Sequence, residues 1–212
     1  MKLVVVGGQG RKVGKTSVIA GIIRGLNTLA WTAVKISHHG GGDSHDSHSA
    51  DDLPAHLDFS WSEERDPTGH GDTSRYLAAG ARRALWLRAR EGKLSEALPG
   101  LLEALAGDEH VMIESNSILG FLRPAVFLLV IDESRRDLKA SARQFLPRAD
   151  ALVTVEPDLE ASVWPAISPQ MLEGKPVFPV SQGERSNPAL CRFIGERLAS
   201  AGEREMPPWA PT

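Results

Sequence analysis

Cysteine is almost missing from this chain: Cys191 is the single one among 212 residues. No disulfide can therefore form within the chain, and Cys191 lies in a helical stretch where a buried thiol is expected. A basic excess is missing too. The chain has 24 Lys and Arg against 27 Asp and Glu, a net charge of −3, so the usual electrostatic signature of bulk nucleic-acid binding is not there. No stretch approaches the ~20 apolar residues that a membrane span requires. The opening apolar run ends by Val6, which is too short for a secretory signal. There are no internal repeats. These absences lead to the expectation of a reduced, cytoplasmic protein whose partners include neither nucleic acid nor membrane.

What is present is an ordinary globular composition, 42% hydrophobic and 24% charged, enough for one well-buried domain. Short apolar runs alternate with helical periodicity. Strands are expected at Lys2–Val6, Trp31–Ile36, Leu85–Ala89, His110–Ile113, Ala125–Ile131, Leu152–Val155 and Val177–Val180. Helices are expected at 16–26, 72–81, 95–106, 138–145 and 187–199, the first with Val18, Ile19, Ile22, Ile23 and Leu26 on one face. Residues 37–71 lack periodicity and read as one long loop rich in Gly, His, Asp and Ser. The pattern predicts an α/β fold, a mostly parallel, doubly wound sheet of about seven strands with helices on both faces. It forms a single domain over 1–202, with a frayed tail at 203–212. In such sheets ligands sit at the carboxyl ends of strands, where Gly8, Ser37 and Glu114 fall.

The segment Gly8-Gln9-Gly10-Arg11-Lys12-Val13-Gly14-Lys15-Thr16 joins the first strand to the first helix. That is the context a phosphate-binding loop must have. Glycines let the backbone wrap a phosphate and aim N–H groups inward, and the following helix adds its positive end. The expected cradle is Gly8, Gly10, Lys12, Val13, Gly14, Lys15, Thr16 and Ser17. Lys15 would reach the terminal phosphates and the Thr16 hydroxyl would bind Mg²⁺. The usual pattern places glycine where Gln9 stands; Gly8 lies one residue earlier.

This longer loop, with Val13 before Gly14-Lys15-Thr16, resembles that of dethiobiotin synthetases. The loop, the segment Val34-Lys35-Ile36-Ser37-His38-His39, and Asp72-Thr73-Ser74 followed by Ala79-Gly80-Ala81 together resemble MobB, the GTP-binding accessory protein of molybdopterin-guanine dinucleotide biosynthesis. The resemblance covers roughly the first 115 residues and implies a P-loop NTPase with GTP or ATP and Mg²⁺ as cofactors. It also implies a cofactor-assembly protein as partner, and a homodimer, since such relatives often pair across the nucleotide face. MobB proper has the shorter loop and a Glu-Gly after its later strand, where this chain has Glu114-Ser115-Asn116-Ser117.

Mg²⁺ takes hard oxygen ligands. Thr16 supplies one, and Glu114, leaving a strand beside the loop, can supply or orient another. Asp72 has two readings: a plain helix N-cap, or the metal-site aspartate that the dethiobiotin synthetase resemblance implies. Lys35, within an apolar strand, needs an anionic partner, and the same resemblance implies that it faces substrate. Lys15, Lys35 and Glu114 are thus the catalytic candidates, and Thr16, Asp72 and Glu114 the Mg²⁺ ligands.

Six of the seven histidines, His38, His39, His45, His48, His56 and His70, fall within 38–70, together with most of a run of seven aspartates from Asp43 to Asp72. Imidazole and carboxylate suit Zn²⁺ and related metals. The competing reading is a polar lid over the nucleotide. His38 and His39, next to Lys35, are the preferred metal candidates. No Asn-Lys-x-Asp guanine motif occurs. Thr154–Asp158 and Ser181–Gly183 are the candidates for contact with the base. Three functions stay open: an accessory NTPase, an ATP-dependent ligase, and a nucleotide- or metal-binding module without turnover.

Overall fold

The structure, a computed structural model, describes residues 1–39, 53–54, 56–132, 134–135, 137–155, 172–180 and 187–201. Eight strands form one sheet: β1 (Lys2–Gly8), β2 (Trp31–His39), β3 (Phe59–Glu64), β4 (Arg83–Arg90), β5 (His110–Glu114), β6 (Val126–Asp132), β7 (Ala151–Val155) and β8 (Val177–Val180). Their order is β3-β4-β2-β5-β1-β6-β7-β8. Every pairing is parallel except β3 with β4.

Period-two alternation builds two cores from the same strands. Leu3 and Val5 of β1 join the cluster that contains Leu94, Ala97 and Leu101 of α3 (Leu94–Ala104), and Ala142 and Phe145 of α4 (Ala140–Phe145). Val4 and Val6 turn the other way. They join Val18, Ile19, Ile22 and Ile23 of α1 (Lys15–Gly25), Tyr76 of α2 (Asp72–Ala78), and Leu190, Ile194 and Leu198 of α5 (Pro188–Ala201). Both faces are therefore covered, as the doubly wound reading requires.

The sheet has eight strands and not about seven, because 37–71 is not one loop. β2 continues through His39, and β3 pairs antiparallel with β4 from Phe59 to Glu64. β3 is an edge strand whose large side chains stay in solvent, Phe59 at 36% and Trp61 at 45% exposure, so it carries no buried stripe for periodicity to detect. At the other edge β8 accommodates Pro179, which an inner strand would not. α2 ends at Ala78, three residues earlier than expected. Gly80 follows with φ +106, a left-handed turn that stops the helix.

Register decides where the chemistry falls. Glu114 lies level with Val6 of β1 on one side and with Lys35 of β2 on the other. Gly8 pairs with Val130 of β6. The three central connections therefore leave the sheet side by side at its carboxyl edge. At the opposite edge, the buried Asp108 carboxylate is held by the Arg82 and Arg83 guanidiniums, 2.9 Å from Arg83 Nη1, and tethers the strand starts.

Candidate functional site

The loop between β1 and α1 curls by two left-handed residues, Lys12 at φ 56 and Gly14 at φ 89. Such turns direct successive N–H groups into one concavity. Gly14 is also the N-cap of α1 and supplies no side chain to it, so the first N–H groups of the helix stay open for an anion. Gly8 has a packing reason as well: a Cβ there would stand 2.7 Å from the Lys15 side chain and 2.9 Å from Val13. Val13 is buried and anchors the far side of the loop. Lys15 folds back and donates to the Gly10 carbonyl at 3.0 Å. Lys12 is exposed at the rim, and Ser17 accepts from the Arg75 guanidinium at 2.9 Å.

Glu114 is the centre of the site. It is 4% exposed. Oε2 accepts from the Thr16 hydroxyl at 3.1 Å and from the Tyr76 phenol. Oε1 lies 3.4 Å from Lys35 Nζ and 3.8 Å from Lys15 Nζ. Lys35 in turn donates to Asp72. Two ammoniums and two carboxylates are therefore interleaved beside the loop. The structure brings together the five residues singled out for catalysis and Mg²⁺: Lys15, Lys35, Asp72, Glu114 and Thr16.

Asp72 is not the N-cap of α2. Gly71 holds that position, without a side-chain cap, and Asp72 is the first helical residue. Its carboxylate turns to Lys35 because burial leaves that ammonium in need of an anion.

Proton affinities follow the same geometry. Burial lowers the Lys15 pKa, nearby Lys35 and Lys139 lower it further, and Glu114 only partly opposes them. Burial also works against Lys35, but Glu114 and Asp72 outweigh it and hold this ammonium above its ordinary value. For Asp72 burial works upward, yet the hydrogen bond and charge of Lys35 bring the carboxyl below its ordinary value. Burial and the Glu114 charge raise the Tyr76 phenol well above its usual range, so it is a neutral donor.

The donor set fits a magnesium ion. A hydroxyl and a carboxylate oxygen lie 3.1 Å apart at the helix start, with a second carboxylate linked to them through Lys35. All are hard oxygens, and there is no soft ligand in the group. The histidines are arranged differently. His38 Nε2 is 2.6 Å from Ser117 Oγ, and its pKa is lowered by burial. Among the described residues no group of three or more His, Cys, Asp and Glu could hold a metal ion, so His38 and His39 do not form such a group with their described neighbours. His45 and His48 lie outside the described residues, as do Ser181–Gly183 and the end of Thr154–Asp158. The described start of that last segment is close to the loop: Val155 Cγ2 would be 3.2 Å from a Cβ on Gly14.

Several site residues escaped the sequence reading. Tyr76 is four residues after Asp72, so it shares a helix face with it; that spacing was a usable signal. Asn116 clamps the loop entrance: Oδ1 accepts from the Gly8 N–H at 2.8 Å and Nδ2 donates to the Gly8 carbonyl at 2.9 Å. It also explains Gly7, where a Cβ would lie 2.3 Å from Asn116 Oδ1. Only the tertiary fold reveals this clamp.

A solved structure shares this architecture. HypB from Helicobacter pylori, crystallised in complex with nickel, matches with a TM-score of 0.56 at 14% identity, over 96% of this chain and 90% of that one. The two share the α/β fold, a mostly parallel sheet covered by helices. Weaker matches are the "apo" form of LpxK from Aquifex aeolicus in complex with ATP and the MinC:MinD cell division protein complex of Aquifex aeolicus. The first has a TM-score of 0.46 at 17% identity over 84% of this chain and 53% of that one. The second has a TM-score of 0.43 at 10% identity over 98% of each. No family model and no curated protein matches the chain. No described helix is long and apolar enough to cross a membrane.

Proposed function

We propose that the protein binds a nucleoside triphosphate with Mg²⁺ and hydrolyses it, as an accessory factor of the MobB kind in cofactor assembly. The observation that carries this reading is the Thr16–Glu114 contact of 3.1 Å at the start of α1, with Lys15 beside it and the curled loop above. In this reading Lys15 neutralises the terminal phosphates and the N–H groups of the loop and of α1 cradle them. Thr16 and Glu114 hold Mg²⁺ with Asp72 in support, and the ion supplies charge neutralisation to the phosphates. Lys35 is the second cation available to charge that develops on transfer, once its carboxylates have another partner.

The ligase reading uses the same groups, with Lys35 facing a substrate carboxylate or carbamate. Lys35 is engaged by Asp72 and Glu114 in either reading, so its pairing does not separate the two. A module without turnover would keep the binding residues and lack phosphate release. Phosphate release from ATP and GTP separates the three. Slow intrinsic release raised by a protein partner supports the accessory role. Release that requires a small carboxylate substrate supports the ligase, and tight binding without release supports the module. Lys15→Ala, folded by circular dichroism, is expected to abolish binding. Unchanged affinity in that variant refutes the assignment of the loop.

A further inference from the structure

Gln9 occupies the position where the common loop pattern has glycine, and the nucleotide reading leaves it without a role. It is 4% exposed, and all its hydrogen-bonding groups are used. Nε2 donates to the carbonyls of Arg135 at 3.0 Å and Asp137 at 2.8 Å. Oε1 accepts from the Asp132 N–H at 3.0 Å. Its backbone N–H donates to Val130 at 2.9 Å, and its carbonyl accepts from the Lys139 N–H at 3.0 Å. Every one of these partners lies on β6 or on the connection from β6 to α4. The Arg135 guanidinium adds a bond to the Arg11 carbonyl. Glycine here would lose the three side-chain bonds.

The effect of this mooring is to hold Lys139 against the phosphate loop. Lys139 is exposed, and no ion pair to it occurs among the described residues. Local structure does not account for a lysine there. It stands at the N-cap of α4 and makes no side-chain cap, and a cation at that end opposes the helix dipole. Around the loop, Lys15 and Lys35 lie against Glu114, and Asp72 is shared by Lys35 and Arg75, so neither carboxylate is left over to balance Lys139. Its backbone N–H bonds to the Gln9 carbonyl of the loop at 3.0 Å, and two residues on, the Ser141 hydroxyl accepts at 3.2 Å from Asn116, the residue that clamps Gly8, so Lys139 stands beside the entrance of the loop.

We propose that Lys139 is a further phosphate-binding residue, held by Gln9 over the loop to contact the terminal phosphate of a nucleoside triphosphate. The proposal rests on the nucleotide reading above. It explains why this loop is one residue longer and carries glutamine: the extra length and the amide fasten the β6–α4 connection to the phosphate site. Because the contact is to the terminal phosphate, it favours triphosphate over diphosphate.

The test is calorimetric titration with Mg²⁺ of ADP, GDP and their non-hydrolysable triphosphate analogues. Wild type is compared with Lys139→Met, Lys139→Arg, Gln9→Ala and the Gln9→Ala/Lys139→Met double variant. Lys139→Met is expected to lose about tenfold in triphosphate affinity, the size of one charge-assisted hydrogen bond, and to keep its diphosphate affinity. Lys139→Arg should retain most of the preference. Gln9→Ala should lose the preference in the same way, and the double variant should lose no more than Lys139→Met. Equal losses for both nucleotides in Lys139→Met, or none, overturn the role of Lys139 while leaving the nucleotide site standing. Wild type that binds no nucleotide overturns the reading beneath it and the proposal with it. Lys139 is exposed, so its variants keep the fold and decide the question even if Gln9→Ala does not fold.

Discussion

Replacing Glu114 by glutamine keeps the size of the side chain and removes one negative charge from the group around the loop. Lys15 and Lys35 stand against Glu114, and Asp72 is shared by Lys35 and Arg75, so the variant makes the group more positive by one charge. Two effects follow. The first is on stability. Glu114 is 4% exposed, and removing one partner of a buried pair typically costs roughly 3–5 kcal/mol. Here the amide oxygen can still accept from Thr16 and Tyr76, and Lys35 keeps Asp72, so the expected loss is about 1–3 kcal/mol. The second effect is on ligands and has opposite signs. Without metal, a triphosphate meets one negative charge fewer and should bind about tenfold more tightly, ~1.4 kcal/mol. With Mg²⁺, a carboxylate that holds the ion is gone, and affinity should fall. The gap between metal-free and metal-loaded affinities therefore narrows from both sides. Urea unfolding reads the first effect, and calorimetric titration with and without Mg²⁺ reads the second. A Mg²⁺ titration that overlays the wild type would remove Glu114 from the metal site and refute the charge argument.

Three other outcomes are expected. Lys35 has a raised pKa, so its contribution to stability is complete below its ordinary 10.5 and is lost as pH rises past the folded value. Asp72 has a lowered pKa, so its contribution is present above its ordinary 3.8 and is lost as pH falls through the folded value. The stability gap between wild type and Lys35→Met should thus be widest between about pH 4 and pH 10 and close at both ends; a gap independent of pH contradicts the pairing. Burial lowers the pKa of Lys15, and bound phosphates would raise it again. Nucleotide binding at alkaline pH, approached from below the ordinary 10.5 of a lysine, should then take up protons, and heats identical in two buffers of different ionisation enthalpy throughout that range would contradict this. Leu101→Ala, in the α3 core, should cost roughly 2–5 kcal/mol in urea unfolding without changing nucleotide affinity. A change in affinity there would mean that the two cores are coupled.

The sequence was informative wherever burial imposes a pattern. β1 and β6 are nearly continuous apolar runs because both their faces are covered, and the rhythm of such runs with the helices gave the doubly wound sheet. Glu114, at the end of its strand, and Lys35, in the middle of its own, were legible because an ionised side chain among buried strands has to have a partner, and register put them level. β3 was not legible, since an exposed edge strand leaves no stripe. Asp72 was legible as a residue of interest but not as Lys35's partner, because capping and pairing make the same demand on a side chain at a helix start. Asn116 and Gln9 could not be found from spacing. Each acts across more than one hundred residues of chain, Asn116 on Gly8 and Gln9 on Asp132, and such contacts exist only once the strands are ordered.

The central claim is that the loop from Gly8 to Thr16 holds a nucleoside triphosphate with Mg²⁺. It is tested most directly by calorimetric titration of the purified protein with ATP and with GTP, each with and without Mg²⁺. The account predicts that at least one of them binds, and binds more tightly when Mg²⁺ is present. Binding of neither nucleotide, with or without the metal, would contradict it.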